Sequence, residues 1–291
     1  MKLRNVALIV LFVVQAAVSA QAAAPPGRFG DIPQGAFPDD RQAAPVPGLP
    51  SLNTKIPLGL QDVIHTVEDA FRPDRQGLLP VSDVVADFFQ STVLANGREM
   101  RADGQMFVRF ADEGRPLMFR FDYFRPAQQE IVCDGNTQWV YLPENRQVIL
   151  SDVRFAFNQS GFDPGHDRGV NFLQGLGSIS RDFLINFSSQ QYDPQGNYIL
   201  ELDPRRSSVS VQKLFMVVSR ESVLMHKQGI APTLATQEFL FPIRSTTVID
   251  HEGNRTTLEF SNIKTNSRLQ PSLFNFVVPA DVQVVKPGRN Y

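Results

Sequence analysis

Side chains of alternating polarity run through most of the chain beyond residue 90. In residues 117–124 leucine and aromatic residues fall on every second position, and the same period of two recurs in residues 198–202 and 256–260. Such alternation is typical of β-strands that bury one face. We therefore expect a mainly β protein whose sheet has one apolar face.

Short turn sequences separate these runs, and no stretch long enough for a helical crossover lies between most of them. Asn-Gly and Asp-Gly pairs supply the positive φ that tight hairpins need. Strands joined by hairpins run antiparallel, so we expect a meander. Its apolar face must be covered by curling of the sheet, by helices or by a ligand. The turn candidates are Asn96-Gly97, Asp112-Glu113-Gly114, Asp134-Gly135, Glu144-Asn145 and His251-Glu252-Gly253-Asn254.

Three segments have apolar residues at helical spacing. Residues 58–71 fit a helix that ends before Pro73. Residues 81–90 fit either a second helix or the start of the first strand. Residues 169–187 interrupt the β region with an amphipathic helical pattern, loosened by two internal glycines. This third segment is either a permanently packed cover or a mobile lid.

The first 57 residues are expected to lie outside the folded domain. Residues 1–22 have the positive start, apolar run and small residues of a secretory signal peptide, and the apolar run falls short of the ~20 residues that span a membrane. Residues 23–57 are rich in Pro, Ala and Gly and are expected to form a disordered tether. Residues 58–291 then form one domain. Since Cys133 is the only cysteine, no lipid-attachment cysteine follows the signal, and we expect an unanchored periplasmic monomer.

Composition narrows the classes of partner. The formal net charge is −2 and no basic stripe is present, which argues against a nucleic-acid partner. The chain has 23 Phe against 5 Tyr and 1 Trp, so most aromatic surface lacks a polar group. A Phe-rich core and an apolar ligand cavity both use such residues.

Residue patterns typical of catalysis are missing from the sequence. The four histidines are far apart, and no G-x-S-x-G, H-E-x-x-H or glycine-rich phosphate loop occurs. Cys133 precedes an Asp-Gly turn and is expected to be a small packed thiol. We therefore expect no enzyme activity, cofactor or metal.

Three segments resemble the outer-membrane lipoprotein carrier family. Residues 115–148 contain an Arg-Pro pair, an aromatic strand, a second Pro and the pattern D-G-x-x-x-W-x-Y-x-P. Residues 250–285 contain a Gly-Asn turn, an Asn-Ile-Lys step and the pattern Pro-x-x-Phe-x-Phe-x-x-Pro. Residues 86–90 are similar to the family's A-x-F-x-Q pattern. The likeness covers residues 58–287 and is weakest between 150 and 240.

The resemblance implies an unclosed, strongly curved antiparallel β-barrel, built as a meander, with covering α-helices as a lid. Acyl chains of lipoproteins enter the apolar cavity beneath that lid. The implied role is delivery of acylated lipoproteins from the inner to the outer membrane. The implied partners are an inner-membrane ABC release complex and an outer-membrane lipoprotein receptor.

The resemblance also implies site residues. Arg115 matches an arginine that bonds lid backbone and so acts as a latch, although an arginine there could simply cap a hairpin. The expected lid residues are Phe172, Leu173, Leu176 and Phe183. The lipid cavity is expected to use seven apolar or aromatic residues, which would otherwise be ordinary core. These seven are Phe89, Met106, Phe119, Phe121, Tyr123, Trp139 and Tyr141.

The chain departs from the family pattern in three places: a longer hairpin before Arg115, residues 223–236, which look like an insertion, and the Pro-rich tail. Other functions remain open at this point. A lipid-binding sensor or a glycolipid carrier could use the same scaffold. An acyl hydrolase would need a nucleophile and a base in the cavity, and a structural envelope protein would use the tail as its tether.

Overall fold

Twelve strands form one sheet in the computed structural model, which describes residues 52–72, 80–112, 114–154, 173, 175–208, 210–231 and 233–286. The expected signal peptide and most of the expected tail lie outside these residues. The strands are β1 Asp83–Val93, β2 Glu99–Arg109, β3 Met118–Arg125, β4 Gln129–Cys133, β5 Thr137–Leu142, β6 Gln147–Asp152, β7 Phe183–Tyr192, β8 Tyr198–Pro204, β9 Lys213–Val218, β10 Ile243–Ile249, β11 Arg255–Thr265 and β12 Gln283–Val285.

Two antiparallel meanders meet at the centre of the sheet. Strands β1 to β6 follow one another to one edge, β7 to β11 return from the other edge, and β11 pairs with β1. Strand β12 adds a parallel partner to β6. The outermost strands, β12 and β7, do not pair with each other in the described residues, so the expected unclosed, mainly β sheet is confirmed. Strands β1 to β11 pair antiparallel, as expected, and β12 is the one parallel addition in the described residues.

All five expected turns join consecutive strands. Gly97, Gly114, Gly135 and Gly253 have φ between 78° and 95°, the region that glycine adopts without strain. Gly135 has a second constraint, because a methyl group there would lie 2.6 Å from Cβ of Pro116. The Arg-Pro and Asp-Gly motifs are thus packed against each other.

Three α-helices occur in the described residues: α1 Leu60–Ala70, α2 Ile179–Asp182 and α3 Arg220–Lys227. Helix α1 buries Val63, Ile64 and Val67 on one face. Its first turn is fixed by the Asp62 carboxylate, which accepts the Gly59 N–H at 2.9 Å. Helix α3 overlaps the first residues of the expected insertion at 223–236. None of these helices is long and apolar enough to cross a membrane.

Two of the three segments with helical spacing are strands in whole or in part, and for residues 81–90 the strand alternative is the correct one. Residues 83–93 form β1, where Val84, Ala86 and Phe88 are buried at every second position. The helical alternative had grouped adjacent apolar residues that in fact point to opposite faces. In the 169–187 segment the helix ends at Asp182, and Phe183 begins β7.

The core lies on the inner, concave face of the sheet. One buried cluster joins residues of β3 and β5 to residues of β7 and β8, which are far apart in strand order. Inward-facing members of this cluster include Phe119, Val140, Ile185 and Leu200.

The outer face of β4 to β6 is covered by the carboxyl-terminal segment. Phe274 is fully buried there, and the Phe276 ring lies 6.2 Å from Trp139 and 5.7 Å from Tyr141. The buried carboxylate of Asp83 holds the start of this segment by accepting the backbone N–H of Ser267 at 2.7 Å. The Pro-x-x-Phe-x-Phe motif therefore builds a second apolar layer outside the sheet.

Candidate functional site

A small apolar cavity lies between the inner face of the sheet and the elements that cover it. Its volume is about 30 Å³, room for a water or two. Among the lining residues that the structure describes, Thr246 alone is polar. The wall includes Met106, Phe121, Leu258 and Phe260 from the sheet, with Leu173 and Leu176 from the cover.

The cover consists of α1, the 3₁₀ turn Leu176–Ser178, α2 and α3. Phe71, which follows α1, packs its ring 4.8 Å from the ring of Phe110 and 5.9 Å from that of Phe241. Phe110 and Phe241 both line the cavity. Helix α1 therefore closes the cavity with apolar contacts as well as with the polar contacts described next.

A buried carboxylate ties α1 to the segment that carries Leu176. Glu68 is 3% exposed, and its Oε1 accepts hydrogen bonds from the backbone N and the Oγ of Ser180 at 2.8 and 2.6 Å. Its Oε2 accepts one from Arg72 at 2.8 Å. Arg72 also donates from Nε to the carbonyl of Gly177 at 2.7 Å. We call Glu68, Arg72 and Ser180 the clamp.

A second set of polar contacts joins α1 to α3. Lys227 donates to Asp62 at 2.6 Å, and His226 Nε2 lies 3.1 Å from Asp69 Oδ2. Burial acts to raise the pKa of the Asp62 carboxyl, but hydrogen bonds from Lys227 and the Gly59 backbone outweigh it, so the pKa is lowered. Asp62 is therefore ionised near neutral pH and holds Lys227 as an ion pair.

Four expected site residues lie together at the cavity. Met106 and Phe121 line it from the sheet, and Leu173 and Leu176 line it from the cover. Two more share the inner face without lining the cavity. Phe119 is 0% exposed and packs its ring 6.1 Å from Phe121, and Tyr123 packs its ring 4.9 Å from Phe88.

Three expected cavity residues lie on the outer face of the sheet, which corrects their assignment. Phe89 is 41% exposed, whereas its neighbour Phe88 is buried on the inner face. Trp139 and Tyr141 flank the inward-facing Val140 and contact the carboxyl-terminal segment. Adjacent strand residues point to opposite faces, so none of the three reaches the cavity.

The lid and latch assignments also need correction. The side chain of Arg115 is 58% exposed, and its guanidinium bonds Asp112 within its own hairpin, at 2.7 Å from Nε. In the described residues, cover backbone accepts such bonds from Arg72, at the Gly177 carbonyl, and from Arg205, at the Ser180 carbonyl. Phe183 is buried on β7, and Phe172 lies outside the described residues. The clamp was not anticipated, although the i, i+4 spacing of Glu68 and Arg72 at a helix end could have indicated it.

Cys133 is fully buried at the end of β4. Burial raises the pKa of its thiol to about 12, so the reactive thiolate is scarce at neutral pH. No cluster of three metal-ligating side chains occurs within the part of the chain that the structure describes.

Sequence comparison links the chain to proteins with one description. A family model described as outer membrane lipoprotein carrier protein LolA matches residues 80–230, just over half of the 291-residue chain. The chain is 28% identical over 200 residues to the outer-membrane lipoprotein carrier protein of Chromobacterium violaceum, covering 69% of this chain and 79% of that protein. It is 29% identical over 203 residues to that of Nitrosomonas europaea, covering 69% and 81%.

Two solved structures are also similar. A LolA superfamily protein from Nitrosomonas europaea has a TM-score of 0.33 at 15% identity, with 76% of this chain and 99% of that chain covered. An outer membrane lipoprotein-sorting protein domain from Vibrio parahaemolyticus has a TM-score of 0.36 at 14% identity, with 74% and 97% covered. The match to the family model is more extensive, because residues 80–230 include β1 to β9 and α3. The chain therefore belongs to the outer membrane lipoprotein carrier protein family.

Proposed function

We propose that this protein is a periplasmic carrier that binds the acyl chains of lipoproteins and delivers them from the inner to the outer membrane. The observation that supports this most is an apolar cavity closed by a hydrogen-bonded cover, in a chain of this family. Met106, Phe121, Leu173 and Leu176 are the expected site residues that would contact the acyl chain. No catalytic step is part of the proposal.

The size of the cavity bears on how a carrier would work. A volume of about 30 Å³ cannot hold an acyl chain, so the cover must move before cargo enters. Burial of an acyl chain gains ~0.8 kcal/mol per CH₂, so water does not compete for a long chain. Cargo must pass between sites of similar apolarity. We propose an inner-membrane ABC release complex as donor and an outer-membrane receptor as acceptor.

We expect the purified mature protein to bind a triacylated peptide in a one-to-one complex. A peptide of the same sequence without acyl chains should not bind, because the lining residues offer it almost no polar partner. Native mass spectrometry with both peptides is the measurement. Equal binding of the two peptides, or binding of neither, would contradict the proposal.

A glycolipid carrier or a lipid sensor would share the cavity and would differ in the lipid that it holds. Mass spectrometry of lipid extracted from protein isolated from the cell envelope separates these functions. The carrier proposal expects acylated polypeptide in that extract. Glycolipid alone would favour the alternative carrier.

The clamp is expected to control how fast cargo exchanges. Glu68→Gln keeps the shape of the side chain. Its amide oxygen can still accept the bonds from Ser180, now as neutral bonds, whereas its amide nitrogen is a donor and cannot accept the bond from Arg72. The lost bond and the two weakened bonds together are worth about 1.5 kcal/mol or more, so we expect acyl-chain exchange to become at least about tenfold faster. Stopped-flow exchange of a fluorescent acylated peptide measures this rate.

The matched control for the clamp is Glu99→Gln. Glu99 pairs with Arg101 on the surface of β2 and is 42% exposed, so this change should leave exchange as it is. An exchange rate for Glu68→Gln equal to that of the control would show that the clamp does not hold the cover closed.

A further inference from the structure

We propose that a strip of buried polar side chains on the inner face of the sheet limits how far an acyl chain can enter. This inference rests on the proposed function, since it concerns the depth of the same cavity. The strip consists of Gln90, Thr92, Tyr123, Gln129 and Thr256, all of them more than nine-tenths buried.

The strip begins where the inner face of β1 changes from apolar to polar residues. The inward residues Val84, Ala86 and Phe88 are apolar, and the next two in the same alternation are Gln90 and Thr92. The distance along the strand from Val84 to Gln90 is about 20 Å at the usual rise per residue. An extended chain that follows β1 inward from the covered end therefore meets polar groups at a defined depth.

Four of the five members of the strip are joined by hydrogen bonds across three strands. Tyr123 donates its hydroxyl to Gln90 Oε1 at 3.2 Å, and Gln90 Nε2 donates to Thr92 Oγ1 at 3.2 Å. The hydroxyls of Thr92 and Thr256 lie 3.3 Å apart. Gln129 pairs with Tyr123 across β3 and β4. Its buried Nε2 has no partner in the described residues.

The strip adjoins the cavity wall. Leu258 and Phe260 line the cavity, and they pair directly with Gln90 and Phe88 across β1 and β11. Directly paired residues on antiparallel strands lie side by side on one face. Gln90 is therefore the first polar neighbour of the wall on this side.

The energetics favour a stop at the strip. Each further methylene buried beside apolar side chains raises affinity about fourfold. A chain end that separates one buried hydrogen-bonded pair lowers affinity about fivefold to a hundredfold, because both groups stay buried without partners. The loss outweighs the roughly fourfold gain from one methylene and, over most of this range, the roughly sixteenfold gain from two. The strip thus selects for chains that end before it.

The test uses peptides of one sequence that carry a single lauroyl, myristoyl, palmitoyl or stearoyl chain. With wild-type protein, calorimetric affinity should rise with chain length and then level off. In the variant Gln90→Leu/Thr92→Val/Tyr123→Phe/Thr256→Val the rise should continue, with stearoyl affinity at least tenfold above wild type and lauroyl affinity within twofold. Replacing all bonded partners together avoids leaving a lone buried polar group among these four residues.

The matched control is Thr247→Val/Thr257→Val, which removes a hydroxyl pair 2.9 Å apart on the outer face of the neighbouring strands. The affinity of this control for the peptides should level off at the same acyl-chain length as that of the wild-type protein. Gln90→Leu/Tyr123→Phe is a milder variant, in case the quadruple substitution impairs folding. It removes the first polar group of the strip and leaves Thr92 bonded to Thr256, so it should shift the plateau in the same direction. If wild-type protein binds the peptides and every variant that folds keeps its plateau, the inference is wrong while the proposed function stands. If wild-type protein binds none of them, both fail.

Discussion

Replacing Phe119 with glutamate is expected to unfold the protein at growth temperature. Phe119 is 0% exposed, contacts Phe121 and does not line the cavity, so a carboxylate there would have no route to water. Truncation of a buried phenylalanine alone costs about 3–5 kcal/mol, and burial of a charge adds several more. Domains are stable by only about 5–15 kcal/mol.

Thermal melting followed by circular dichroism measures this effect. Phe124→Glu is the control, because Phe124 is on the same strand and 55% exposed, and its melting temperature should change little. A folded Phe119→Glu protein that fails to bind acylated peptide would instead place Phe119 in the lipid site.

Replacing Gly135 with alanine is expected to destabilise the protein by about 2–5 kcal/mol. Its φ of 95° strains any residue with a Cβ, by about 1–2 kcal/mol, and the new methyl group would overlap the ring of Pro116. For a domain of this size, such a loss lowers Tm by about 5–15 °C.

Gly196→Ala separates the cost of the positive φ from the cost of the overlap with Pro116. Gly196 has a similar φ of 84°, and a methyl group there would meet nothing within 4 Å. We expect it to lose only the backbone part, about 1–2 kcal/mol. Equal losses in urea unfolding of the two variants would show that the contact between the Arg-Pro and Asp-Gly motifs contributes nothing to stability.

The hairpins were predictable because their signals are local. Each depends on a period of two and on a glycine within a few residues, and both are visible in the sequence. The pairing of β1 with β11 joins residues about 170 positions apart, and no local pattern encodes such a partner. The parallel strand β12 is three residues long and is too short for its alternation to be read.

Face assignment was the weakest part of the site prediction. Phe88 and Phe89 are equally apolar, and only the preceding alternation of Val84 and Ala86 with Asp87 identifies the inward one. Trp139 and Tyr141 were misplaced for another reason. The sheet is apolar on both faces at β5, because the carboxyl-terminal segment covers the outer one. The prediction that only one face of the sheet is apolar is therefore wrong at β5.

The order of the strands links the cover to the shape of the sheet. Strand β6 lies next to one edge and β7 forms the other, yet residues 153–182 connect them directly along the chain. These residues include Leu176 and Ser180, the parts of the cover that touch the cavity and the clamp. Any spreading of the two edges therefore changes the distance that this one connection must span. The described residues 175–182 of the connection run from the cavity wall directly into β7, so this part of the cover is anchored to one edge of the sheet.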